Sequence, residues 1–264
     1  MSCLYRFVCL AALLLTITQC IELVKNEVKD AAARNALCND GSPAVFFTYR
    51  RPDVGAPWHV YLEGGGDCFS VQNCEERWRN ARFLMTSTET QASIIKKDGV
   101  FSSDCSQNAP FCKSNVAVIH YCSSDRWAGD REASPRETGN FTFRGKNIVH
   151  SVVEDLIEDF QMLSASRIIL GGSSAGGSGT MNNVDRIGTL IRSALEKRGR
   201  KPEEIDYRGI PDSGWYADGP TMRDAGWNVG LEDDYRNGSM LWNLQPNEGC
   251  ANEYGPEDLW RCEF

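Results

Sequence analysis

One stretch constrains the fold more than any other: Arg167-Ile168-Ile169-Leu170-Gly171-Gly172-Ser173-Ser174-Ala175-Gly176-Gly177. Its apolar, β-branched start reads as a buried strand. The strand runs into Gly172-Ser173-Ser174-Ala175-Gly176, a Gly-x-Ser-x-Gly pattern centred on Ser174. Further on, residues 183–198 carry Val184, Ile187, Leu190, Ile191 and Leu195 at the spacing of a one-sided helix. Alone, such a pentapeptide describes any glycine-rich turn. Between a strand and a helix it describes a nucleophile elbow, where glycines let two backbones cross and lift a serine hydroxyl clear. A helix beginning there aims its first N–H groups at any negative oxygen formed nearby.

A second glycine cluster lies upstream. Residues 58–62, Trp-His-Val-Tyr-Leu, read as a strand that ends in Glu63-Gly64-Gly65-Gly66. Alone, three glycines make a flexible turn. Paired with an elbow, they suit the loop that completes the oxyanion hole in α/β-hydrolase esterases. Further strands are expected at 43–49, 115–121 and 205–211. An amphipathic helix is expected through Ile148, Val149, Val152, Val153, Leu156, Ile157 and Phe160, with His150 at its edge in a structural role. Residues 22–34, polar and Ala-rich, read as a lead-in helix or loose arm. Residues 68–85 read as a disulfide-tethered helix on the rim, and 99–112 as a loop. The irregular segment 127–143 suits a substrate-facing loop and makes Trp127 a candidate site wall, as does Asp212 at the tip of the last strand. Alternating strands and helices imply an α/β fold, α/β-hydrolase-like, with a mostly parallel sheet and helices on both faces.

Residues 7–17 form an apolar run, interrupted only by Thr16, after Arg6; it is too short to span a bilayer and is placed like a secretory h-region. A signal peptide over 1–20 is expected, leaving 21–264 as one domain; an uncleaved anchor is the alternative. No later segment is apolar enough to cross a membrane, so a secreted, soluble chain is expected. Cys3, Cys9 and Cys20 lie in or beside the leader. The other eight of the eleven cysteines are Cys38, Cys68, Cys74, Cys105, Cys112, Cys122, Cys250 and Cys262. An even set in an exported chain argues for disulfides, with pairing left open. Zinc is a weak competitor, because no Cys-x-x-Cys occurs and the three histidines are scattered. No metal or cofactor is expected. Asn140-Phe141-Thr142 and Asn237-Gly238-Ser239 are glycosylation sequons. The formal net charge of −8, without basic clusters, gives no footprint for nucleic acid or anionic lipid.

A serine nucleophile needs a histidine to take its proton and return it to the leaving group. In α/β-hydrolases that histidine follows the nucleophile in the chain. Here His59, His120 and His150 all precede Ser174. His120, at the end of an expected strand, is the in-chain candidate. Asp212 could orient a histidine, although a wall role suits it better. The expectation is a domain lacking its last strands, acid and histidine, whose bare sheet edge invites aggregation.

Several motifs in order resemble the Notum / pectin acetylesterase family: Leu62-Glu63-Gly64-Gly65-Gly66-Asp67-Cys68-Phe69, Tyr121-Cys122-Ser123-Ser124-Asp125-Arg126-Trp127-Ala128-Gly129, Gly172-Ser173-Ser174-Ala175-Gly176-Gly177, Asn183-Val184-Asp185-Arg186 and Asp212-Ser213-Gly214-Trp215. The resemblance covers about residues 46–264. It implies Ser174 as nucleophile and the N–H groups of Gly65, Gly66 and Ala175 as oxyanion hole. Notum carries a tryptophan where this chain has Gly66, a change that keeps the backbone donor. The resemblance implies a secreted carboxylesterase acting on an acylated, Wnt-like secreted protein or on an acetylated polysaccharide. It places the acid and the histidine beyond Phe264. The non-catalytic alternative is a truncated form that at most binds acylated ligand.

Overall fold

The computed structural model describes residues 20–89, 92–214 and 231–263. The expected leader short of Cys20, with Cys3 and Cys9, and Trp215 lie outside them. Seven strands form one sheet: β1 (Ile21–Glu27), β2 (Val45–Tyr49), β3 (Trp58–Leu62), β4 (Ile94–Lys97), β5 (Asn115–Ile119), β6 (Arg167–Ser173) and β7 (Asp206–Asp212). Their order is β4-β1-β2-β5-β3-β6-β7. The helices are α1 (Val71–Asn80), α2 (Gly145–Asp159), α3 (Ala175–Glu196), α4 (Leu231–Trp242) and the short α5 (Glu248–Ala251).

The α/β-hydrolase-like architecture is present, but the sheet is mixed rather than mostly parallel. Strand β3 pairs parallel with β5 and β6, and β6 with β7. The β4-β1-β2-β5 side is antiparallel throughout. Residues 21–27 are the clearest departure from expectation. They form a strand paired on both sides, between β4 and β2, in which Ile21 and Leu23 turn inward while Glu22 and Val24 face out. Alternation of period two selects a strand despite the polar composition.

Side-chain parity divides the core. Phe46, Trp58, Val60, Leu62, Ala117, Ile119, Ile168 and Leu170 point to the face covered by the apolar stripes of α2 and α3. On the opposite face, Leu23, Phe47, Val116 and Val118 pack with Phe101 from the loop after β4. Among the described residues, Phe101 and the loop that carries it cover this face with side chains. All eight cysteines expected to pair do so, as Cys38–Cys122, Cys68–Cys74, Cys105–Cys112 and Cys250–Cys262. No helix among the described residues is long and apolar enough to cross a membrane.

Candidate active site

Strand β6 ends at Ser173 and α3 begins at Ala175, so Ser174 alone makes the turn. Its backbone sits at φ 56°, ψ −122°, a region costly for a residue with a Cβ and held only when its surroundings over-determine it. Three hydrogen bonds do so. The Ser174 N–H donates to the Asp212 carbonyl at 3.0 Å, and the Ser174 carbonyl accepts from Gly177 N (2.8 Å) and Ser178 N (3.1 Å). The pattern glycines are required by packing: a methyl on Gly172 would overlap the Gly176 carbonyl, and one on Gly176 the Leu62 carbonyl. Ser174 is exposed, while Ala175 behind it is buried.

Because β3 and β6 are parallel neighbours with Leu62 opposite Gly172, the loop leaving β3 lies against the elbow. A methyl on Gly64 would overlap the Ser173 carbonyl and approach the Ser174 Cβ to 3.1 Å. Gly65 and Gly66 have φ of 155° and 68°. Side chains from elsewhere hold this loop by its carbonyls. The Trp127 indole N–H donates to Glu63 O at 3.0 Å, Arg77 Nη2 to Gly65 O at 2.7 Å, and the Trp242 indole N–H to Cys68 O at 2.7 Å. Arg126 Nε reaches the Asp67 carboxylate at 2.5 Å. In a trans peptide the C=O and the following N–H point opposite ways. The N–H groups of Gly64 and Gly66 are therefore turned away from Trp127 and Arg77.

The structure brings together Ser174, Ala175 and the glycine loop, with Asp212 beside them. Asp212 is exposed, and its main-chain carbonyl is what holds the elbow. Trp127, expected as a wall, has no exposed surface; its indole lies behind the loop and bonds it, so it supports the site from within. No histidine is poised on Ser174. The His59 ring is stacked on Phe111 at 4.3 Å on the opposite face of the sheet, and burial pulls its pKa down to about 4. His120 has Nδ1 at 3.3 Å from the Glu63 carboxylate and Nε2 at 3.3 Å from Thr86 O. His150 is half-exposed on α2, paired with Glu154. Among the described residues no cluster of His, Cys, Asp and Glu could hold a metal. Asn140 and Asn237 are both exposed.

Four supporting residues escaped sequence reasoning. Arg77, Arg126 and Trp242 act on main-chain or side-chain atoms 12 to 174 positions away, which leaves no local pattern. Asp125 is the fourth. Burial pushes its carboxyl up to about 7, against the opposing pull of bonds from the Ser123 hydroxyl and the N–H groups of Gly145, Trp127 and Gly129. It organises the β5–α2 loop that carries Arg126 and Trp127.

A mixed sheet, a one-residue turn between β6 and α3 and an exposed serine at positive φ define an α/β-hydrolase-like architecture. The chain belongs to the pectinacetylesterase family, whose model matches residues 19–247. It is 36% identical over 231 residues to the palmitoleoyl-protein carboxylesterase NOTUM of Drosophila melanogaster, covering 86% of this chain and 33% of that protein. The mouse protein of the same name is 35% identical over 233 residues, covering 86% and 44%. The solved structure of the Wnt deacylase Notum from Drosophila superposes with a TM-score of 0.79 at 32% identity, covering 92% of this chain and 67% of that one. The chain spans less than half the length of these curated relatives.

Proposed function

We propose that this chain carries the nucleophile and oxyanion hole of a secreted serine carboxylesterase. Ser174 Oγ adds to an ester carbonyl and gives up its proton to a base. The negative oxygen accepts hydrogen bonds from the N–H groups of Gly65, Gly66 and Ala175. Collapse of the adduct releases the alcohol and leaves acyl-Ser174, which water hydrolyses to the free acid. The observation carrying this reading is an exposed serine held at φ 56° with a glycine loop packed against it. The relatives' names favour a fatty acyl group on a Wnt-like secreted protein as substrate, over an acetyl group on a polysaccharide. The disulfides Cys38–Cys122, Cys68–Cys74, Cys105–Cys112 and Cys250–Cys262 and the two exposed sequons support an oxidising, extracellular location.

The histidines favour a second reading for these 264 residues. With His59, His120 and His150 engaged elsewhere, the chain binds acylated ligand and turns it over at only a residual rate. Loss of the triad histidine costs about six powers of ten. A fluorophosphonate probe separates the readings. Labelling of Ser174 is expected to be weak, to rise when free imidazole supplies the missing base, and to vanish in Ser174→Ala. Strong labelling without imidazole would remove the second reading; labelling that survives Ser174→Ala would overturn the nucleophile. Competition by a palmitoleoylated peptide, and not by acetylated pectin, is the expected substrate result; the reverse would reassign the acyl group.

A further inference from the structure

The proposed oxyanion hole depends on where the Gly66 N–H points, and two successive glycines leave that peptide free to rotate. A side chain removes the freedom. Arg77, in the last turn of α1, donates from Nη2 to the Gly65 carbonyl at 2.7 Å and from Nε to Ser124 Oγ at 2.8 Å. Its Nη1 lies 3.7 Å from where a Gly66 methyl would sit, so the guanidinium backs the whole Gly65–Gly66 peptide. The helix offering it is itself anchored. The Cys68–Cys74 disulfide ties α1 to the end of the glycine loop, and Ser70 Oγ caps its first turn by accepting from Asn73 N at 3.1 Å.

Holding the Gly65 carbonyl fixes the Gly66 N–H on the face away from the guanidinium. A charged donor on that carbonyl also polarises the amide and strengthens its N–H as a donor.

We propose that Arg77 is a positioning residue: it locks the Gly65–Gly66 peptide so that the Gly66 N–H stays aimed at the oxyanion. This rests on the esterase reading above. Arg77 touches neither substrate nor reacting atom in this role, and the effect passes wholly through one peptide plane.

The test uses phenylboronic acid, which forms a tetrahedral, negatively charged adduct on a serine without needing turnover. Wild type is expected to form the adduct by ¹¹B NMR, with the Gly66 amide proton moving downfield, and Ser174→Ala to form none. Arg77→Met should bind the boronate about tenfold more weakly, with the Gly66 shift reduced and the protein still folded and melting cooperatively. Arg77→Lys, which keeps one donor, should fall between. If Arg77→Met does not fold, Ser124→Ala frees the guanidinium's other anchor and should weaken the adduct in the same sense. Equal affinity in the folded Arg77 variant, or in Ser124→Ala where that stands in, overturns the positioning role and leaves the nucleophile untouched. No adduct in wild type, or one in Ser174→Ala, overturns the esterase reading and this inference with it.

Discussion

The elbow around Ser174 and the glycine loop after β3 lie against each other, yet opposite means shape them. The elbow is defined by missing side chains. Gly172, Gly176 and Gly177 press on the carbonyls of Gly176, Leu62 and Asp212, and Gly214 presses on the Gly177 backbone. The loop is defined by side chains that are present: Trp127, Arg77 and Trp242 each hold one of its carbonyls, and Arg126 holds Asp67. Glycine makes close approach possible and leaves direction open, so the loop needs donors from outside. The elbow needs none, because strand register and helix start already fix it. An atom added to the elbow should therefore cost more than an atom removed from around the loop.

The largest effect is expected at Gly176. A methyl there meets the Leu62 carbonyl, backbone that cannot yield without parting β3 from β6. Gly176→Ala should cost about 3 kcal/mol or more, the upper end for over-packing. Gly255, with open space around it, is the control: Gly255→Ala should stay within about 0.5 kcal/mol of wild type or gain slightly. Chemical denaturation of the two variants reads the difference. Equal, small effects would mean that the elbow accepts a methyl as readily as open surface does, and that missing side chains do not define it.

The same contrast explains what the sequence made legible. Gly-x-Ser-x-Gly is a local signal once the apolar strand before it and the helical spacing after it are read with it, so Ser174 and its turn are legible from one contiguous stretch. The start of α3 could not: residues 175–183 are nearly all buried, with Gly176, Gly177, Ser178 and Gly179 among them. A helix enclosed on all sides by backbone shows no apolar stripe until Val184. Helix α4 is not legible in the sequence, because Asn237 and Gly238 interrupt its apolar spacing, although Tyr235 and Trp242 bury fully. The loop's supports were invisible for a different reason. Trp127 and Trp242 stand in polar stretches with no local pattern, and only the fold delivers their N–H groups to carbonyls 64 and 174 positions away.

A perturbation from behind the sheet should not discriminate between the two halves, since β3 and β6 carry them jointly. His59, on β3, provides one. Its ring sits among Phe111, Phe101 and Tyr61, and burial lowers its pKa from 6.5 to about 4. The unfolded chain therefore binds the extra proton between those values. His59 stability is full above pH 6.5 and declines as pH falls toward 4, by about 3 kcal/mol at the bottom. Asp125, raised from 3.8 to about 7 by burial, acts in the opposite sense across that whole range. The difference between wild type and His59→Phe isolates the ring. Urea melts at stepped pH should give a difference that grows with acidity; a constant one would show that the ring is not held neutral.

The smallest effect, and the sharpest probe of the contrast, is Trp127→Phe. Phenylalanine keeps most of the ring that packs against Gly179 of α3 and against Tyr121 at 5.0 Å. It removes the indole N–H that holds the Glu63 carbonyl at 3.0 Å. An unsatisfied buried acceptor costs about 1–3 kcal/mol, and the lower end applies because Glu63 is only partly covered. The loss should be local. Hydrogen exchange at Gly64, Gly65 and Gly66 should quicken, while Gly177 and Ser178, bonded to the Ser174 carbonyl, keep their protection. Equal quickening on both sides would show that the loop and the elbow move as one unit, and the difference drawn between them would then describe chemistry without describing mechanics.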